Sequence, residues 1–149
     1  MKIKNKFLIC SSFLLISVLS YSQDRRTLET KVADLLAQFP ATSLSYTDRL
    51  MEDMMTLGEA GLKQICDQII PAGTGDDTRA RFAVDTYSRF LSSAGRESER
   101  ELWEKICISY ASRKAEPDVT DFFIKQLQLI GSEQAAEALK IYIADKINC

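Results

Sequence analysis

The chain has 149 residues, of which 46% are hydrophobic and 27% charged, and its formal net charge is −2. This length favours a single domain with a modest core. No histidine is present, which excludes Ser-His-Asp and Cys-His catalysis within one chain. The slight excess of acidic residues, without a basic stripe, indicates that nucleic acid is not a partner.

The first 22 residues have the features of a secretory signal peptide. A basic start contains Lys2, Lys4 and Lys6, an uncharged apolar run covers 7–19, and small residues precede a cleavage site after Ser22. The run of 13 residues is shorter than the roughly 20 that a bilayer needs, and an uncleaved membrane anchor is the alternative. We therefore predict export to the periplasm or the outside of a Gram-negative bacterium. The mature chain, 23–149, would then have 16 positive and 21 negative charges, a net charge of −5, and no membrane contact.

Three glycines divide the mature chain at nearly equal intervals. Gly58, Gly95 and Gly131 are separated by 37 and 36 residues. Each lies between two segments whose apolar residues recur at steps of three and four, which is the spacing of one helix face. No segment alternates as a strand would. We therefore expect the following elements: a lead-in helix near 24–38 and helical hairpins near 47–70, 77–113 and 118–146.

The residues between these segments are typical of helix ends. The pair Ser98 and Glu101 fits a capping box, in which the hydroxyl accepts a backbone N–H and the carboxylate reaches back. Asp118 follows a proline and is expected to cap the next helix, and Ser132 stands where the last helix begins. The stretch 71–77 (PAGTGDD) is the clearest predicted loop.

Two segments resemble the inner part of HEAT-type repeats: 57–69 (LGEAGLKQICDQI) and 129–141 (LIGSEQAAEALKI). The region from 24 onward is also similar to the N-terminal part of large exported bacterial proteins, in which HEAT-like repeats precede a β-sandwich domain of the 3-keto-disaccharide hydrolase type. The resemblance implies an all-α fold, an α-α superhelix of about three hairpins after a lead-in helix over residues 23–149. The hydrolase-type domain has no counterpart in this sequence, so none of its catalytic residues is carried over.

The apolar residues of the last predicted helix continue to the end of the sequence, at Ile141, Tyr142, Ile143 and Ile147. A helical solenoid normally closes with a polar capping repeat. We therefore expect either a C-terminal continuation or a partner protein to cover this end.

Three cysteines follow the predicted signal peptide: Cys66, Cys107 and Cys149. Their wide spacing includes no C-x-x-C pair, so neither a zinc site nor a thioredoxin-type motif is indicated. Export would permit a disulfide. The alternative, which we favour, is that Cys66 and Cys107 are small buried apolar residues with raised pKa values.

Three residues are candidates for binding: Asp76, Asp77 and Trp103. The two aspartates lie in a glycine-rich loop that could offer oxygen ligands to Ca²⁺, but the loop lacks the spacing of a calcium motif, and a turn with an aspartate cap is the other interpretation. Trp103 follows Leu102, and two adjacent helical residues cannot both point straight inward. Trp103 is therefore expected either at the edge of the core, where it would anchor a partner, or packed within the core.

These features predict a non-catalytic, exported helical-repeat module that acts as a protein interaction scaffold through the concave face of its second helices. The expected partner is a protein or the missing C-terminal domain, with glycan as a further ligand. The alternative is an N-terminal accessory domain, or a fragment, of a secreted carbohydrate-active hydrolase. We expect no catalytic residue, no metal site and no cofactor.

Overall fold

The structure is a computed structural model that describes residues 26–113 and 116–147, with side chains up to Lys140 in the last helix. Within these ranges all regular secondary structure is helical, which confirms the all-α prediction. The helices are α1 Leu28–Leu36, α2 Leu44–Thr56, α3 Gly58–Cys66, α4 Thr78–Leu91, α5 Glu97–Ala111, α6 Pro117–Ile130 and α7 Glu133–Ile147. The predicted signal peptide, Cys149 and the side chains of Ile141, Tyr142, Ile143 and Ile147 lie outside the described part.

The three predicted glycine turns are confirmed. Gly58, Gly95 and Gly131 have φ values of 63°, 83° and 65°, in the left-handed region that glycine adopts without steric cost. Gly131 is the C-cap of α6, and its N–H donates to the carbonyl of Leu127. Such a cap satisfies a carbonyl that the helix end would otherwise leave unpaired. The turn residue therefore fixes where α6 stops and where the chain reverses.

The capping box predicted for α5 is wrong. The helix begins at Glu97, with Arg96 as the N-cap residue, so Ser98 already lies inside the first turn. From that position its hydroxyl donates to the Glu99 carboxylate at 2.8 Å. The carboxylate of Glu97 instead accepts the N–H of Gly95 at 3.1 Å. One acidic residue therefore satisfies the amide at this turn, and Glu101 plays no part in the cap.

The middle hairpin, α4 and α5, lies between the other two. The first helices of the hairpins follow one another in space, with α2 against α4 and α4 against α6. The second helices do the same, with α3 against α5 and α5 against α7. Helix α1 packs against α2, α3 and α4, and the contact between α5 and α6 is the most extensive. Consecutive hairpins are thus joined along both their first and their second helices.

One hydrophobic cluster receives buried side chains from every described helix, from Val32 in α1 to Ala135 in α7. Its largest fully buried members include Trp103, Tyr87 and Phe123. Full burial of one large apolar side chain contributes about 1.5–3 kcal/mol. A single hairpin supplies few such residues, so the stability of the fold depends on the packing of the hairpins against one another. No helix in the described part is both long and apolar enough to cross a membrane.

Candidate functional site

The loop between α3 and α4 contains two of the predicted binding residues, Asp76 and Asp77. Asp76 is exposed, and its Oδ1 accepts the N–H of Thr78 at 3.0 Å. Hydrogen bonds from the side chain and the backbone of Thr78 lower the pKa of the Asp76 carboxyl. Asp77 is largely enclosed, and its Oδ2 accepts the N–H of Ile70 at 3.0 Å. Both carboxylates therefore serve the turn itself.

Arg81 holds this loop against the neighbouring helices. Its Nε donates to Asp77 at 2.7 Å and its Nη2 donates to the carbonyl of Ile70 at 2.8 Å. The same guanidinium lies 3.8 Å from the Asp118 carboxylate and 4.8 Å from the centroid of the Phe122 ring. Charge-assisted hydrogen bonds of this kind are the stronger ones in proteins. Asp77 and Arg81 are thus structural partners, and both hydrogen bonds to Asp77 are accepted by its Oδ2.

Asp118 does not have the capping role predicted for it. Helix α6 begins at Pro117, one residue before Asp118. The Asp118 Oδ2 accepts the N–H of Ala72 at 2.7 Å, across 46 residues of sequence. A tertiary partner has therefore replaced the local cap. We call Asp77, Arg81 and Asp118 the loop clamp. Within the described residues no cluster of acidic or cysteine side chains could hold a metal ion.

Trp103 lies in the core and is 0% exposed. Its indole N–H donates to the hydroxyl of Ser88 at 2.8 Å, and its ring meets that of Tyr87 edge-on, with centroids 5.1 Å apart. Leu102 occupies the half-buried position instead. A partner anchor must be accessible, so the prediction of Trp103 at the edge of the core is wrong and the packing interpretation is confirmed.

The thiols of Cys66 and Cys107 are free and buried. Burial raises the pKa of both thiols, because the charged thiolate loses its hydration. A reactive cysteine needs a lowered pKa and access to solvent. These residues therefore behave as small apolar core residues, as predicted.

The predicted aspartates line a groove that sequence spacing did not reveal. The α1–α4 groove has a volume of about 460 Å³. It is lined by Ala33, Leu36 and Ala37 of α1, by Asp76 and Asp77, and by Arg79 at the start of α4. Phe82, one turn further along α4, is 40% exposed, and its ring lies 6.0 Å from that of Phe39.

Two further grooves border α5, one on each flank. The α3–α5 groove has a volume of about 130 Å³ and includes Glu59 and Lys63 of α3 with Leu102 and Ser109 of α5. The α5–α7 groove has a volume of about 300 Å³. It is lined by Glu97, Arg100, Glu101 and Glu104 of α5 and by Ser132 and Glu133 at the start of α7.

Sequence reasoning missed Glu104, the buried carboxylate of the α5–α7 groove. Glu104 is only 2% exposed. Its Oε1 accepts the hydroxyl of Ser132, and the Ser132 Oγ in turn accepts the N–H of Ala135 at 2.9 Å. Ser132 thus caps α7, as predicted, and also contacts α5. In the sequence Glu104 resembles its solvated acidic neighbours. The one signal of its burial is its position, directly after Trp103 and three residues before Cys107, which places it near the buried face of α5.

A scan against protein-family models found no match, and neither did searches of curated proteins and of solved structures.

Proposed function

We propose that the chain is a non-catalytic, exported helical-repeat module that binds another protein. The observation that supports this proposal is the order of packing, in which first helices follow first helices and second helices follow second helices. This order is the one that a HEAT-like solenoid requires, because each repeat contacts its neighbours. Solenoids use the extended surface along one set of helices to bind partners.

The binding face, in this proposal, is the surface of the second helices. Between its two grooves α5 has an exposed strip at helical spacing that ends on the C-cap residue, and it consists of Ser98, Glu101, Lys105, Ser109 and Ser112. The strip mixes hydroxyls with both signs of charge and has no large apolar side chain. A surface of this kind suits a polar, reversible contact with a protein. The buried thiols and the absence of histidine from the sequence support a role without catalysis.

Site-specific photocrosslinking tests the proposed face. A photoreactive phenylalanine derivative replaces Ser109 on the exposed strip of α5, and the matched control replaces Gln128 on the exposed side of α6. The variants are expressed with their own leader in a Gram-negative host. We expect a crosslinked protein from position 109 only, and purified components should then bind each other with an affinity that the α5 substitution lowers. Equal crosslinking from both positions, or none from position 109, would contradict the proposal.

The accessory-domain alternative rests on the α1–α4 groove. Asp76 and Arg79 line this groove, and Phe82, one turn further along α4 than Arg79, offers an exposed aromatic surface. Aromatic rings combined with such groups can recognise ligands of mixed polarity, sugars among them. Titration of the chain with soluble oligosaccharides tests this alternative. Binding that is lost in Phe82→Ala but kept in Leu44→Ala, a second exposed apolar residue of the described part, would favour it over protein binding.

A further inference from the structure

The face that contains the α1–α4 groove has exposed apolar side chains. Ala33 and Ala37 of α1 line the groove, and both are exposed. Phe82 follows the lining residue Arg79 by one turn on the same side of α4, and it is 40% exposed. Removal of such apolar surface from water is favourable. A second surface that covers the alanines and the ring would therefore be stabilised by their burial.

The charges that line this groove are balanced. Asp77 is already neutralised by Arg81, whose Nε donates to its carboxylate at 2.7 Å. One acid and one base remain, Asp76 and Arg79, and both are exposed. The Asp76 carboxylate accepts the N–H of Thr78, but neither Asp76 nor Arg79 has an ion pair with another described residue. The groove therefore offers one unpaired charge of each sign.

A surface with one unpaired acid and one unpaired base is complementary to a copy of itself. In a two-fold symmetric dimer the same surface of both copies meets, so each contact between two different residues occurs twice. Asp76 of one copy can face Arg79 of the other, and the reverse pair then forms across the axis. The predicted net charge of −5 of the mature chain makes two copies repel each other in general. A contact between copies therefore favours a face whose charges are balanced.

We propose that the face around the α1–α4 groove is the interface of a two-fold symmetric dimer of this chain. Asp76 of each copy pairs with Arg79 of the other, and Phe82 of each copy covers the alanines on α1 of the other. A second copy fits this face better than a neutral oligosaccharide does, because a sugar could stack on the ring but would leave both charges unpaired. The inference goes beyond the proposed function, since α5 does not line this groove and its exposed strip stays open to a different protein.

Sedimentation velocity of the full mature chain over a range of concentrations tests the inference. We expect a reversible equilibrium between monomer and dimer. Arg79→Asp places like charges opposite each other twice in the dimer and should raise the dimer Kd at least about tenfold. Asp76→Arg should do the same for the same reason. Phe82→Ala should raise the Kd about tenfold, because two rings lose their contact with the other copy.

An equimolar mixture of the two charge variants distinguishes contacts between copies from effects within one chain. In a mixed dimer one copy has two bases at these positions and the other has two acids, so both reciprocal pairs attract again. The mixture of Asp76→Arg and Arg79→Asp should therefore dimerise about as tightly as the parent chain, although each variant alone does not. Damage to the fold by either substitution would not be reversed by mixing.

Lys105→Asp is the matched control, because Lys105 is exposed on α5, outside the groove, and the charge changes by the same amount as in Arg79→Asp. It should leave the dimer Kd unchanged. Circular dichroism should show the same helix content in Arg79→Asp as in the parent chain, since Arg79 loses no ion pair with a described residue. Three outcomes would overturn the inference: a monomer at every concentration, a dimer that Arg79→Asp and Phe82→Ala leave intact, or a mixture that associates as weakly as its components. A monomer that binds oligosaccharide through Phe82 would assign the groove to a sugar instead.

Discussion

Replacement of Ser88 by alanine removes the hydrogen-bond acceptor of the buried Trp103 indole. Both side chains are 0% exposed, and their bond is 2.8 Å long. A buried donor left without a partner costs about 1–3 kcal/mol. Alanine forms helices better than serine by roughly 0.5 kcal/mol, which offsets part of that loss. We therefore expect Ser88→Ala to lower the free energy of unfolding by about 1.5 kcal/mol.

Urea denaturation followed by tryptophan fluorescence measures this change, because Trp103 is the one tryptophan of the chain. Circular dichroism gives the same quantity for Trp103→Phe and for the double variant. In Trp103→Phe the Ser88 hydroxyl can donate to a carbonyl of its own helix instead. Trp103→Phe therefore leaves no buried polar group without a partner, whereas Ser88→Ala does. The double-mutant cycle should show a coupling of about 1 kcal/mol. Additive losses, or a Ser88→Ala variant as stable as the parent, would refute the assignment of this bond.

Three other substitutions or conditions address the loop clamp, a glycine turn and the buried thiols. Arg81→Met should lower the free energy of unfolding by about 1–2 kcal/mol and make the α3–α4 loop sensitive to thermolysin; the exposed Arg79→Met should do neither. Gly131→Ala should cost about 1–2 kcal/mol in urea denaturation, because its φ of 65° is strained for alanine, and Gly131→Asn should cost less. The pKa values of Cys66 and Cys107 are raised in the folded chain, so their stabilising contribution is complete below the unfolded thiol pKa of about 8.5 and falls as the pH rises above it. As the pH rises above that value, the melting temperature of the parent protein should fall more steeply than that of Cys66→Ala. A thiol reagent should label the native protein far more slowly than the unfolded one.

The all-α fold was predictable because its signals are local. The spacing of apolar residues on either side of Gly58, Gly95 and Gly131 predicts the buried helix faces, and the glycines predict where the chain reverses. Each of these signals spans only a few residues. The helix starts were harder to predict. Ser98 looked like a cap, but α5 already begins at Glu97, with Arg96 as its N-cap residue. Asp118 looked like a cap as well, but the N–H of Ala72 competes for its carboxylate. Local capping rules fail where a distant backbone group supplies a better partner.

The candidate site was less predictable, because its residues converge only after folding. The loop clamp joins residues of α4 and α6, and the α1–α4 groove joins helices more than 40 positions apart. Trp103 was ambiguous because adjacent helical residues differ by 100° in direction, and the sequence does not state which of the two faces the core. Glu104 was overlooked because an acidic residue among other acidic residues indicates solvent exposure.

The central position of the α4–α5 hairpin has a consequence for hydrogen exchange. An end hairpin can detach by breaking contacts on one side, whereas the middle hairpin can open only when both of its neighbours have separated from it. Amides of α4 and α5 should therefore exchange with solvent at a rate set by global unfolding, and amides of α2 or α6 through smaller, partial openings. We therefore expect the slowest-exchanging amides of the described residues in the α4–α5 hairpin. A partner that binds along α5 would contact the part of the molecule that opens least often.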